Sequence, residues 1–299
     1  MRKDVLRRPL PTVDGVAPSR QTLPAGRWET VLDFLSERHA AVGPETWAAR
    51  MREGRVVDEA GHRLTPESPY RAGACVYYYR EPEDERAIPF DEHILHRDEH
   101  ILVADKPHFL PVVPAGRYLR ETLLVRLRRK TGLADLAPLH RIDRETAGLV
   151  VFSVNPSTRG AYASLFRERA VEKSYEALAR GAGWLDFPLV RRSRIVAGEP
   201  FFIMKEAEGE PNSETRVEVL EEGRGVSLYR LRPVTGRKHQ LRVHMNALGM
   251  PVVNDRLYPN VLPEAPEDFE EPLKLLAKSL SFRDPLTGRE LHFESGRRL

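Results

Sequence analysis

The spacing of apolar positions divides the chain near residue 85. Before it, apolar residues recur three or four apart. Thr30-Val31-Leu32-Asp33-Phe34-Leu35 places Leu32 and Leu35 three apart behind Thr30, a helix-capping residue type, and predicts a short helix. Pro44 can open a second helix in which Trp47 and Met51 share a face. Arg50 and Arg52 fall off that face, and Gly54 ends the helix. Arg55-Val56-Val57 and Ala74-Cys75-Val76-Tyr77-Tyr78-Tyr79 read as extended, with turns at Gly61 and Gly73. Residues 1–25, rich in proline, arginine and small polar residues, read as a flexible or surface-bound arm.

Residues 81–88 form an acidic linker without apolar period, the expected domain boundary. Beyond it the pattern alternates between strands and short helices. Ile101-Leu102-Val103-Ala104-Asp105-Lys106 is an apolar strand stopped by Pro107. Residues 119–130 suit an amphipathic helix, and 148–153 a strand. Asn155-Pro156 can start a helix carrying Tyr162, Leu165 and Phe166, followed by a strand at 173–179. Residues 181–207 show no regular period. Strands at 215–220 and 226–232 pair across Glu221-Glu222-Gly223-Arg224-Gly225. Thr235 can cap a helix through Leu248, with Gly249 just beyond its end. A helix around 272–276 and a hairpin at 280–293 complete the pattern.

Composition narrows the class. With 299 residues and 41% hydrophobic positions, the chain can build a large domain plus a small one. Charged residues reach 30%, yet the formal net charge is only +3, so placement matters more than total. Arginines cluster at 126–130, 191–194 and 237–238, which suits either phosphate contacts or a solvated surface. Cys75 is the single cysteine, which excludes an internal disulfide and a cysteine zinc site and fits a reducing compartment. No signal-peptide core or membrane-length apolar run is present, so a soluble cytoplasmic protein is expected.

Most familiar chemistries lack their residues. No phosphate-binding glycine loop, dinucleotide fingerprint or nucleophile elbow occurs. His96-Arg97-Asp98-Glu99-His100 matches an inverted zinc-protease pattern, but that chemistry needs both histidines on one helical face. The strand that follows makes Asp98-Glu99 a hairpin turn instead. Asp143 remains, in a charged loop that runs directly into an apolar strand. An aspartate in such a place can act as nucleophile, acid or base, provided a cation keeps it ionised, and Arg242 is a candidate. Taken alone, these two residues favour a structural salt bridge over a reactive pair.

Four ordered segments change that weighting. His140-Arg141-Ile142-Asp143-Arg144-Glu145-Thr146-Ala147-Gly148-Leu149 resembles the His-Arg-Leu-Asp-x-x-Thr-Ser-Gly-Leu signature of RluA-type pseudouridine synthases. Asp105-Lys106-Pro107, Lys173-Ser174-Tyr175 and Thr235-Gly236-Arg237-Lys238-His239-Gln240-Leu241-Arg242-Val243-His244 are similar to its other motifs, in the family's order. The resemblance implies an α+β catalytic domain at 89–299, with a mixed, mainly antiparallel sheet crossed by a central cleft. It implies isomerisation of uridine to pseudouridine within RNA, without cofactor or metal. Asp143 would be the nucleophile, toward the sugar or the base. Tyr175 would stack on the uracil, and Arg242 would pair with the aspartate. Arg141 would fill the space a flipped base leaves. Lys106, Arg237 and Lys238 are candidates for RNA contacts, with surface solvation the alternative for each.

Residues 26–80 resemble an S4-type RNA-binding unit, with Arg50 a further RNA contact; an unrelated small α/β appendage is the alternative. Such a unit favours ribosomal RNA, with transfer RNA as the other target. No membrane association or obligatory protein partner is expected, and a monomer is. The rival from another class is a catalytically silent RNA-binding protein of the same fold. The chain departs from the family pattern at Ile142, Ala147, Asn254 (where Gly-Asp is common) and Leu276 (where histidine is expected). None of these is expected to touch the chemistry.

Overall fold

The computed structural model describes residues 9–81, 85–263 and 269–299. Its described residues fall into two compact units: those up to 85 with 116–120 and 125–134, and those of 86–115 and 121–124 with 135–299.

The first unit contains β1 (Ser19–Thr22), α1 (Val31–Arg38), α2 (Pro44–Arg52), β2 (Val56–Asp58), β3 (Cys75–Tyr78) and most of α3 (Leu123–Thr131). Thr30 caps α1: its hydroxyl accepts the Asp33 N–H at 3.1 Å, and the Asp33 carboxylate accepts the Thr30 N–H at 2.9 Å. Trp47 and Met51 of α2 pack with Phe34, Leu35, Val56 and Val76 in one core. The sheet order is β1-β3-β2, antiparallel throughout. The arm expected over residues 1–25 is therefore a strand at Ser19–Thr22, registered from Ser19 against Tyr78 to Thr22 against Cys75. Ser-Arg-Gln-Thr carries no apolar alternation; the open edge of β3 makes it extended. Residues 1–8 of that arm and 82–84 of the linker lie outside the described residues.

The second unit is an α+β fold on one mixed sheet. Its strands are β4 (His93–Arg97), β5 (Ile101–Lys106), β6 (Ala137–Pro138), β7 (Ala147–Ser153), β8 (Glu172–Arg180), β9 (Leu189–Ala197), β10 (Met204–Ala207), β11 (Ser213–Glu221), β12 (Val226–Pro233), β13 (Leu275–Arg283) and β14 (Glu290–Glu294). The order is β10-β9-β11-β12-β8-β13-β7-β5-β4, with β14 on β13 and β6 on β7. Every pair is antiparallel except β7 with β13. Helices α4 (Arg159–Arg167) and α5 (Gln240–Ala247) join them. Among the described residues no helix is long and apolar enough to cross a membrane.

The parallel pairing positions the site. Ala277 of β13 lies between Gly148 of β7 and Tyr175 of β8 in register. Gly148 has φ +108°, and a Cβ there would stand 2.2 Å from the Ala277 carbonyl oxygen. Only glycine permits that approach. It sets the end of the Asp143 loop two strands from Tyr175.

Several boundaries differ from the sequence reading. The helix expected at 272–276 gives way to β13, whose Leu275, Leu276 and Ala277 are all buried. A strand covered on both faces is a continuous apolar run, which periodicity does not separate from a buried helix. β9 and β10 were unmarked because charged residues stand even on their inner faces, as in the part-buried ion pair Arg191–Glu206, and break the apolar alternation. α3 starts at Leu123 rather than 119, its Leu123 and Leu124 N–H groups donating to the Pro111 and Val112 carbonyls. α4 starts later than Pro156 because Asn155 Oδ1 accepts the Ser157 N–H at 2.9 Å in a local turn. His96 and His100 stand on the β4–β5 hairpin, where Asp98 Oδ1 accepts the His100 and Ile101 N–H groups. They do not share a helical face.

Candidate active site

The loop ahead of β7 is held from behind. Burial pushes the His140 pKa down to about 3, so its ring is neutral and Nε2 accepts the Val151 N–H at 3.1 Å. The ring stacks on Phe166, centroids 4.6 Å apart. Lys106 Nζ donates to the Pro107 and Arg144 carbonyls, both at 2.9 Å, and His108 Nδ1 donates to the Glu145 carbonyl at 2.6 Å. The Thr146 N–H closes a turn onto the Asp143 carbonyl at 3.2 Å. Lys106 is fully buried, so the expectation that it contacts RNA fails. Its ammonium braces the loop backbone. Burial lowers its pKa to about 7, with Glu145 and Asp143 pulling the other way. Burial raises the Glu145 pKa, but its ion pair with Arg144 at 2.8 Å outweighs that and holds it ionised.

Asp143 emerges from this loop with its side chain 25% exposed and Oδ2 3.3 Å from Arg242 Nη1. Arg242, on α5, is 2% exposed and has a stronger partner. Its Nε and Nη2 donate to Asp255 Oδ2 and Oδ1 at 2.8 and 2.6 Å, a bidentate pair. Burial alone would lower the arginine pKa; Asp255 and then Asp143 more than reverse that, so the cation is permanent. Asp255 Oδ1 also accepts the Leu257 and Tyr258 N–H groups at 2.9 and 3.1 Å. The expectation that Asn254-Asp255 stands apart from the chemistry is therefore wrong. Asn254 has φ +62°, the left-handed region that favours glycine and that asparagine tolerates, so the departure at 254 is conformationally neutral.

Tyr175 is half-buried on β8. Burial, and then the Asp143 charge, push its phenol above the ordinary tyrosine range. It is protonated at neutral pH and presents a ring face and an O–H. His239 precedes α5 at φ +55°, with Nδ1 2.9 Å from the Tyr258 hydroxyl and Nε2 4.0 Å from Asp143 Oδ1.

The segment before α5 is tied to the sheet rather than capped by Thr235. Thr235 Oγ1 donates to Gln240 Oε1 at 2.7 Å, and Gln240 Nε2 donates to the Glu214 carbonyl and Thr215 Oγ1, both at 3.0 Å. One turn on, His244 is 0% exposed, with Nδ1 2.8 Å from Thr215 Oγ1 and Nε2 3.0 Å from both Ser193 Oγ and Ser213 Oγ. Burial pushes its pKa down to about 4, partly offset by Glu206. Between pH 6.5 and 4 the unfolded chain binds a proton there that the folded chain refuses. Stability is complete above pH 6.5 and is lost as pH falls toward 4, by up to about 3 kcal/mol from this residue. Urea midpoints at pH 7 and pH 5 should differ in that direction, and His244→Gln should reduce the difference, leaving the part due to His140 and His108. An unchanged slope in that variant would contradict a neutral buried His244.

Asp143, Tyr175, His239 and Arg242 line a cleft of about 740 Å³ with Arg141, Lys173, Arg237 and Lys238. Arg141, Arg237 and Lys238 are exposed at its walls, and Arg237 Nε also donates to the Asn212 carbonyl at 3.1 Å. Asp143 apart, the charged lining is basic, which attracts a polyanion. The structure thus gathers Asp143, Tyr175, Arg242, Arg141, Arg237 and Lys238. Lys173 and His239 also line the cleft, although sequence reasoning gave neither a role; their places inside matched motifs were the available signal. Arg50 belongs to the first unit. Its side chain is 12% exposed, paired with Glu81 at 3.1 Å and lying over the Trp47 ring at 5.3 Å. It is a packed ion pair rather than a free cation for RNA.

Residues 100–247 match the RNA pseudouridylate synthase family. An uncharacterised RNA pseudouridine synthase of Synechocystis is 30% identical over 234 residues, covering 76% of this chain and 79% of that protein. The dual-specificity RNA pseudouridine synthase RluA of Pasteurella multocida is 33% identical over 208 residues, covering 64% and 87%. The solved structure of human RNA pseudouridylate synthase domain containing 1 superposes with a TM-score of 0.58 at 27% identity, covering 72% of this chain and 86% of that one. The chain belongs to the RNA pseudouridine synthases, and among them to the RluA type. It is an isomerase that acts on uridine in RNA.

Proposed function

We propose that Asp143 is the nucleophile of this enzyme and that structured ribosomal RNA in the cytoplasm is its principal substrate. The observation that carries the first part is the placement of Asp143: a partly exposed carboxylate at a basic cleft, one oxygen 3.3 Å from a buried arginine that is itself locked by Asp255. Such a group is paired with a fixed cation yet reachable from the cleft. In the reaction the N1–C1′ bond of the uridine breaks, the uracil turns, C5 bonds to C1′, and the C5 proton leaves. The carboxylate attacks the sugar or the base. Tyr175, as a protonated phenol, provides a stacking face for the uracil.

A uridine in a folded RNA must leave its stack to reach this cleft. Arg141 is exposed at the cleft wall, and its planar guanidinium suits the vacated space. Arg237 and Lys238 supply charge for the flanking phosphates. The first unit, read as S4-like, is the grip that favours ribosomal RNA, and the enzyme works as a monomer. Transfer RNA is the second reading; the dual-specificity name of the Pasteurella relative fits action on more than one RNA.

Mapping pseudouridines in total RNA from cells with and without this protein tests the target. At least one ribosomal position should revert to uridine. Reversion confined to transfer RNA would replace the first reading with the second.

A further inference from the structure

Asp143 Oδ2 faces Arg242, which leaves Oδ1 facing His239 Nε2 at 4.0 Å. The other side of that imidazole is already engaged. Nδ1 lies 2.9 Å from the Tyr258 hydroxyl, whose oxygen accepts the Met204 N–H at 2.8 Å. Tyr258 is buried, so its proton needs an acceptor inside the protein. His239 Nδ1 is that acceptor. The proton of the imidazole then sits on Nε2, the nitrogen that points at Asp143. The same ring is fixed from two more sides. Its backbone is in the left-handed region at φ +55°, and its ring stands edge-on to Tyr258 at 85°.

We infer that His239 is a positioning residue for the isomerisation: a neutral Nε2–H donor, tautomer set by Tyr258, that orients the second oxygen of Asp143. The inference rests on Asp143 being the nucleophile. At 4.0 Å the donor is not yet bonded, and the contact closes when uridine fills the cleft, as catalytic hydrogen bonds do on substrate binding. Two donors on two oxygens fix the plane of the carboxylate, and with it the lone pair that faces the reacting carbon. A neutral donor does this without adding a second cation that would blunt the nucleophile.

The charges around the ring are Asp143 and Glu145 from the loop, Lys238 and Arg242 from its own segment, and the Tyr258 hydroxyl opposite. Burial lowers the His239 pKa, Asp143 opposes this, and Arg242 and Lys238 lower it further. Neutral imidazole is therefore the form present at pH 7. Protonation removes the acceptor that Tyr258 uses and places a cation beside Asp143, so the rate should fall on the acid side as this ring charges.

The test uses the full-length enzyme and an RNA transcript containing a mapped target, in single-turnover assays. His239→Asn suits the left-handed backbone and keeps a group for Tyr258, but its amide is too short to reach Asp143. It should bind RNA normally, melt like wild type, and react roughly 10- to 100-fold more slowly. His239→Gln places an amide N–H near the Nε2 position and should recover most of that loss while lacking the acid limb of the pH profile. A His239→Asn rate within threefold of wild type overturns the inference, as does an acid limb retained in His239→Gln. Asp143→Asn is assayed alongside: activity in that variant would sink the nucleophile assignment instead, so the two failures are distinguishable.

Discussion

Asp143→Asn should bind target RNA with unchanged affinity and form no pseudouridine. The substitution keeps size and a hydrogen-bonding group but removes the anion that attacks. If the carboxylate is the nucleophile, the single-turnover rate should drop by about four orders of magnitude or to background. The fold should not notice. Asp143 is 25% exposed, and its ion pair with Arg242 is the weaker of that arginine's two. Losing a partly solvated pair costs about 1 kcal/mol or less. Thermal melting and filter binding of the variant are therefore controls, and pseudouridine formation in the RNA is the readout. Substantial turnover by a folded, RNA-bound variant would remove Asp143 from the chemistry.

Asp255→Ala should be the most destabilising single change at this site. It strands the Arg242 guanidinium in a pocket where it is 2% exposed, and it leaves the Leu257 and Tyr258 N–H groups without their acceptor. Breaking a buried ion pair from one side costs about 3–5 kcal/mol. The urea midpoint reads that loss. Activity should fall as well, because an arginine released from Asp255 no longer holds its third nitrogen toward Asp143. The double variant Asp255→Leu with Arg242→Met separates the two effects. Replacing both charges with apolar groups of similar size should restore much of the stability. Turnover should stay low, since nothing then pairs with Asp143. A stability loss below about 1 kcal/mol for Asp255→Ala would mean that Arg242 finds other partners.

The site was legible where its residues are local in sequence. The loop from His140 to Thr146, the Lys-x-Tyr strand and the segment from Thr235 to His244 each announced themselves as motifs. Their meanings were less secure. Lys106 read as a candidate cation for RNA from its place in the Asp-Lys-Pro motif, yet burial makes it a brace for the carbonyls of Pro107 and Arg144. Arg50 failed in the same way, drawn into a pair with Glu81. Asp255 was passed over because nothing in the spacing of residues 242 and 255 says that a bidentate pair joins them. The strands β9 and β10 were invisible for a related reason: charged residues on both of their faces leave no apolar period that marks a strand.

By itself, the sequence determined the local elements with strong caps or glycines: the α1 capping box at Thr30, the start of α2 at Pro44, and the hairpin at the end of the chain. It also pointed to the candidate reactive group, because the resemblance carried by four ordered motifs singles out Asp143 without coordinates. Only the tertiary structure decided which charge meets which. Pairing is a matter of distance in space, and the decisive distances span strands far apart in the chain. The start of β13, read as a helix, pairs as a parallel strand against Gly148 and puts Asp143 and Tyr175 on one cleft. Burial then held His140, His239 and His244 neutral, while Asp255 and Asp143 kept Arg242 charged against it. Desolvation depends on everything packed around a group, and no stretch of sequence contains that information.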